Sequence, residues 1–141
     1  MAAFVKVSDF VEDICNGVHN LNTGTLTLAL SNTAPASESP NPTVAGNGVL
    51  ANVTQSSYTN LSARVLQNTS ISISGSTASL NADTLVLTAS GAVAEFRYVY
   101  LYNDSAGSDN LIAVWDYGSG VTLADTETFT ATVSTTLFSI V

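Results

Sequence analysis

The residues whose types could do chemistry are few: His19, Cys15, Glu95, Asp116, Asp104 and Asp109. His19 is the only histidine and Cys15 the only cysteine. A histidine base needs a partnered nucleophile and an orienting acid. Serines are abundant and no G-x-S-x-G occurs, so no nucleophile stands out. His19 reads as a cap or packing residue near the end of a helix. Cys15, one position past an apolar stripe, reads as a buried small apolar group. A lone cysteine forms neither an intrachain disulfide nor a thiolate cluster for zinc.

The carboxylates carry the stronger chemical possibilities. Glu95 and Asp116 flank the aromatics of "EFRYVYLYNDSAGSDNLIAVWDYGSG", which also holds the only Trp. A glycosidase needs two carboxyls facing one cleft. Glu95 stands two positions before Arg97, however, and a surface or cross-strand ion pair accounts for such charges more simply. In "NDSAGSDN", Asp104 and Asp109 gather with other side-chain oxygens in one turn, which is ligand chemistry that suits calcium. The spacing departs from D-x-[DN]-x-[DN]-G and lacks its terminal Glu. The same residues are those a hairpin turn prefers. The reading assigns no catalytic residue, no metal and no cofactor, and takes the chain not to be an enzyme.

These residues must be held by elements that the periodicity predicts. Ser8 can cap a helix, with Asp9, Glu12 and Asp13 in its first turn, where the dipole favours anions. Phe10, Val11, Ile14, Val18 and Leu21 recur at helical spacing, which predicts a helix over residues 9–20, weakened or ended at Gly17. From Thr25 the period becomes two, and "TLTLALS" predicts a half-buried strand. Asn32 to Gly48 holds all three prolines and reads as a long surface loop. The stretch after it predicts a short strand and then another near Ala63–Gln67. A tight hairpin is expected around Gly75–Ser76, a strand in "DTLVLTAS", and a strongly β-forming run in "AEFRYVYLYND". "LIAVWDYG" should pair with that run across the Asp104–Asn110 turn. "ETFTATVSTTLFSIV" supplies one long last strand or two short ones. The expected fold is therefore mainly β: an antiparallel β-sandwich, jelly-roll or Greek-key-like, with one short N-terminal helix. Residues 1–7 form an N-terminal arm and residues 8–141 one domain.

The totals exclude several function classes. The 141 residues fit one domain. Only 10% are charged, while Ser, Thr and Asn make up about a third, so solubility rests on hydroxyls and amides. The net charge is −8, and Lys6, Arg64 and Arg97 are the only cations. Three scattered cations cannot build a phosphate-neutralising patch, so neither nucleic acid nor an anionic membrane is an expected partner. No stretch approaches the roughly 18 apolar residues of a membrane span. The N-terminus lacks the apolar core of a secretory signal, so the chain is expected to be made in a cytoplasm and not exported by the general route.

The aromatics point to association. With period two, Phe96, Tyr98, Tyr100 and Tyr102 share one face of their strand, and Arg97, Val99, Leu101 and Asn103 the other. The strand is either buried on both sides, or one side is core and the other meets a second chain. Tyr is enriched at interfaces, where it offers contact area and a polar tip.

"FVEDICNGVHNLNTGTLTLALSNTAP", joined later to "FRYVYLYND" and "VWDYGSGVTLADTETFT", resembles a family of small structural proteins of tailed bacteriophages. The similarity covers about Phe10 to Ser31 and Phe96 to Thr130, and is loose from Pro35 to Ser90. It implies a virion component: a decoration, or cement, protein on the outer surface of the head that binds the phage major capsid protein. A tail or fibre protein is the alternative it implies. A homotrimer is expected from symmetric placement, with Tyr98, Tyr100, Tyr102 and Trp115 at the subunit interface. Phe4, Val5, Lys6 and Phe10 are expected at the capsid-binding end. Two rivals stand beside this: a receptor-binding protein using the Asn32–Gly48 loop to hold a glycan, and a small carbohydrate-active or carbohydrate-binding domain. The enzyme version needs Glu95 and Asp116 in one cleft.

Overall fold

Alternating apolar and hydroxyl residues, cut by Gly, Asn and Asp, produce nine strands and one α-helix among the described residues of the computed structural model. It describes residues 3–133 and 136–141, with backbone alone for Ala3 and Phe4. The strands are β1 (Ala3–Lys6), β2 (Leu26–Ser31), β3 (Ser70–Ser74), β4 (Thr77–Asn81), β5 (Leu85–Thr88), β6 (Val93–Asn103), β7 (Asn110–Leu123), β8 (Thr128–Ala131) and β9 (Phe138–Ile140). The helix α1 spans Asp9–Cys15. All strand pairs are antiparallel. The main sheet has the order β1-β7-β6-β2, and two short ribbons, β3-β4-β9 and β5-β8, form a second layer. The packing is sandwich-like, but its second layer is two ribbons in place of one continuous sheet.

One core lies between the layers. It joins Leu28, Val99, Leu101 and Trp115 of the main sheet to Leu80 of β4 and Leu87 of β5. A second core covers the opposite face of the main sheet, where Val7, Ala29, Tyr98, Tyr100, Leu111 and Val114 meet Leu50 and Val53. The irregular segment after the Pro-rich loop supplies that cover. It includes a 3-10 turn at Leu50–Asn52. All six residues of β2 are therefore buried, where the alternation had predicted a half-buried strand. The second face is apolar enough for this: Ala29 packs, and the Ser31 hydroxyl donates to Thr54 O at 2.6 Å.

Several boundaries differ from expectation. The helix stops at Cys15 instead of Asn20. Gly17 (φ +72°) takes the left-handed position that closes a helix, with Gly17 N–H donating to Ile14 O and Val18 N–H to Asp13 O. This paired pattern ends the helix because glycine enters that region without Cβ cost. Ser8 does not cap it. Ser8 is itself helical in φ and ψ, and its hydroxyl donates to Thr43 O at 2.8 Å. No strand forms at residues 63–67 beyond an isolated bridge, Thr27 to Val65, but Leu28 N–H donates to Arg64 O and Leu66 N–H to Leu26 O. This segment covers the outer edge of β2 without becoming regular, because Arg64 also donates from its side chain to Leu28 O and stacks 3.5 Å over the Tyr58 ring. The tight hairpin is as expected, with Ser74 facing Thr77 across Gly75–Ser76 and Gly75 at φ +61°. The final segment makes two short strands, and residues 134 and 135 between them lie outside the described residues.

The N-terminal arm is no arm over its described part. Ala3–Lys6 pair with Asp116–Ala113 as the edge strand β1, and Val7 is fully buried. The burial of Val7 and its bond from N–H to Ile112 O fix the segment to the sheet.

Candidate functional site

The two carboxylates with catalytic potential are committed elsewhere. Arg97 and Asp116 sit on the paired strands β6 and β7, and the guanidinium donates in a two-pronged bond, Nε to Oδ1 at 2.7 Å and NH2 to Oδ2 at 2.8 Å. Asp116 Oδ1 also accepts from Gly118 N–H at 2.8 Å. Hydrogen bonding to Arg97 is the main cause that holds the Asp116 carboxyl below its usual range, with Gly118 assisting. An acid in that state stays ionised and cannot lend a proton near neutrality. Glu95 is exposed and accepts from Asn32 Nδ2 at 2.8 Å, with its carboxyl lying over Gly120, where an added Cβ would come within 2.6 Å of Cδ. The ion pair expected to explain Glu95 and Arg97 is not the one made: Arg97 pairs with Asp116, and Glu95 accepts from Asn32.

His19 is buried and follows the helix in place of ending it. Its Nδ1 lies 3.3 Å from Asn103 Nδ2, its Nε2 lies 3.7 Å from Asp13 Oδ2, and its ring packs 5.4 Å from that of Phe10. It is a packing residue. Cys15 is exposed, contrary to the expected burial, because the helix ends there and only Phe10 of α1 is buried. In the turn after β6, Ser105 N–H donates to Asn103 Oδ1, Ala106 N–H to Asn103 O and Asp109 N–H to Ala106 O. The side chains there build a turn, and no group of three His, Cys, Asp or Glu is placed to hold a metal among the described residues.

The aromatic face is core. Tyr98, Tyr100 and Tyr102 are at most 8% exposed and lie beneath the chain's own Leu50 and Val53, while Trp115, at 9%, faces the other core. These four cannot form the expected subunit interface: uncovering them would forfeit about 1.5–3 kcal/mol for each large apolar side chain. The period-two grouping also fails at one point. The register of β6 against β7 breaks between Phe96 and Tyr98, and Phe96 joins the core of Val99 and Leu101. Tyr100 is the least solvated of the set. Its hydroxyl has no hydrogen-bond partner among the described residues, and burial raises its pKa far above the ordinary tyrosine value.

Of the expected capsid-binding residues, Phe10 is 1% exposed and belongs to the core, so it contacts no partner. Val5 (49% exposed) and Lys6 stand on the exposed edge strand β1. The side chain of Phe4 lies outside the described residues.

Sequence reasoning missed two carboxylate clamps. Asp9 accepts from Gly46 N–H at 2.7 Å and Gly48 N–H at 2.8 Å, pinning one end of the Pro-rich loop to the start of α1. Glu38 accepts from the Thr54 N–H and hydroxyl at 2.7 and 2.8 Å. The 32–48 loop is therefore tied at its far end by Asp9 and in its first half by Glu38, and it carries a 3-10 turn, Pro35–Ser37. For Glu38 the available signal was a lone acidic residue within a Ser- and Pro-rich loop in a chain with few charges; Asp9, in the first turn of α1, offered no signal beyond the helix dipole.

An apolar cavity of about 440 Å³ opens between the layers, lined by Leu28, Val99, Trp115, Phe129, Ala131 and Leu137 among others. Its polar lining is limited to Tyr117, Thr130 and Thr132 among the described residues, so it offers neither an acid–base pair nor a nucleophile with its base. No family model, no curated protein and no solved structure matches this chain.

Proposed function

We propose that the chain is a structural protein of a phage virion, a cement protein that binds the outer face of the assembled head. The observation that carries this reading is where the rare charged residues and the single histidine go. Arg97 of "FRYVYLYND" pairs with Asp116 of "VWDYG", and Asn103 of the first motif meets His19 of "GVHNL". The motifs that carry the resemblance hold one another together across the fold. Their chemistry is spent on shape, as suits a protein whose work is to persist and adhere.

A cement protein stabilises a lattice by binding the assembled shell in preference to free subunits. Contact with several subunits at once turns modest contacts into firm attachment. The exposed edge strand β1, with Val5 and Lys6, is the surface we assign to the major capsid protein, since an edge strand presents unpaired backbone groups to a neighbour. A homotrimer remains part of the proposal, with its contacts outside the buried tyrosines. The test is to add the purified chain to decoration-free shells and measure co-sedimentation and shell melting. Saturable binding with raised shell stability is expected; absence of binding with label on the tail in immunogold micrographs overturns it.

A second reading has its own observation. A Pro-rich loop clamped by Asp9 and Glu38 is preorganised, and preorganisation lowers the ordering cost of binding. A tail or fibre protein that contacts a host receptor would use such a loop.

A further inference from the structure

We propose that His19 is an acid-sensitive latch, which holds α1 and the 16–24 segment to the turn end of the β6–β7 hairpin and opens when its Nδ1 is protonated. The geometry rests on a directional chain of bonds. Asn103 is 1% exposed, and its Oδ1 accepts from Ser105 N–H at 3.0 Å. That bond fixes the amide so that its NH2 faces His19 Nδ1, 3.3 Å away. Nδ1 must then be the acceptor, and the ring proton resides on Nε2, toward Asp13 Oδ2. The 20–25 segment closes over the same asparagine. Thr25 N–H donates to Ser105 Oγ at 2.8 Å, Asp104 N–H donates to Thr25 O, and a Cβ at Gly24 would meet Asn103 Oδ1 at 3.0 Å.

Protonation sets two donors against each other in a site with no solvent, since the His19 side chain is 0% exposed. Rotating the Asn103 amide would accept the new N–H but turn its NH2 onto Ser105 N–H, moving the conflict into the turn. Relief requires the histidine to leave. The carboxylate facing the ring is Asp13 on α1, which favours the imidazolium. It lies 3.7 Å off, and its Oδ2 already accepts from Asn110 Nδ2 at 3.0 Å. From the hairpin, Asn103 and Asn110 face the site and are neutral, and Asp104 and Asp109 in the same turn make no bond to the ring. Burial outweighs Asp13 and lowers the His19 pKa. The sign follows: the contribution is whole above the ordinary histidine value of about 6.5 and is lost as pH falls through the lower folded value. Because β1 runs directly into α1, opening loosens the edge that carries Val5 and Lys6.

The single histidine makes the test clean. The ring resonance of the full chain is followed by NMR from pH 7.5 to 4, with amide exchange measured in the same samples and corrected for intrinsic rates. The expected result is a His19 midpoint below 6.5 and at least tenfold faster exchange at residues 16–24 and Ser105 with that same midpoint, while the centre of β6 stays protected. His19→Gln, which stays neutral, should remove the transition. Asn103→Asp, which places an acceptor against Nδ1, should hold the latch closed to lower pH. Titration without a change in exchange overturns the proposal, as does an unaltered transition in His19→Gln. Should His19→Gln fail to fold, the Asn103→Asp shift decides in the same way.

Discussion

Replacing Asp9 by alanine removes both acceptors that hold the far end of the Pro-rich loop, so its effect can be worked from the structure. Two backbone N–H groups, Gly46 and Gly48, lose a carboxylate at 2.7 and 2.8 Å. A hydrogen bond to a charged group contributes about 1.5–3 kcal/mol, and an unsatisfied buried donor costs about 1–3. Gly46 is exposed and recovers water, whereas Gly48 is buried and lies between Val7 and Asp9. The estimate is therefore one full bond and a fraction of the second, about 2–3 kcal/mol. For a chain of this size that lowers Tm by roughly 6–10 °C. Gly48→Ala attacks the same clamp from the other side, since its Cβ would stand 2.9 Å from Asp9 Oδ2 and 3.0 Å from Val7 Cγ1. The two changes should be strongly non-additive in a double-mutant cycle. The assay is thermal and denaturant unfolding with amide exchange over residues 43–50. A loss under about 0.5 kcal/mol for Asp9→Ala, with unchanged exchange in the loop, would refute the clamp.

Other expectations follow from the same contacts. Phe10→Ala should cost about 3–5 kcal/mol in unfolding free energy, as a large side chain leaves a packed core, while Val5→Ser and Lys6→Ala should leave Tm nearly unchanged and weaken binding to shells. Tyr100→Phe should be neutral or stabilise by up to about 1 kcal/mol, because it deletes a buried hydroxyl without a partner; a clear loss in chemical denaturation would mean that the hydroxyl is satisfied. Spectrophotometric titration should find Tyr100 protonated past pH 10, its contribution intact below that value and lost only as pH rises through the raised folded pKa. The Arg97–Asp116 pair, about 40% exposed on both sides, should give a small, salt-sensitive effect on Tm. Because the Asp116 pKa is lowered, that effect should be complete above about pH 4 and fade as acid titrates the carboxylate.

The sequence by itself determined the elements whose signal is local. The two-residue turn at Gly75–Ser76 needs a positive φ that glycine supplies, whereas at Gly17 the apolar spacing that runs on to Leu21 carried the expected helix past its actual end at Cys15. The pairing of "FRYVYLYND" with "LIAVWDYG" followed from β propensity on both sides of a turn rich in Asn, Asp and Gly. Only the tertiary structure decided what covered the second face of β6. An apolar face reads the same whether a second chain or a distant segment lies on it, and here Leu50 and Val53 cover it from an irregular segment without periodicity. The same holds for residues 3–6, whose pattern suits an arm or an edge strand until β7 offers its backbone. The roles of Asp9, Asn103 and His19 were equally hidden. Each depends on at least one partner 37 or more positions away, and a hydrogen bond of that span leaves no trace in local spacing.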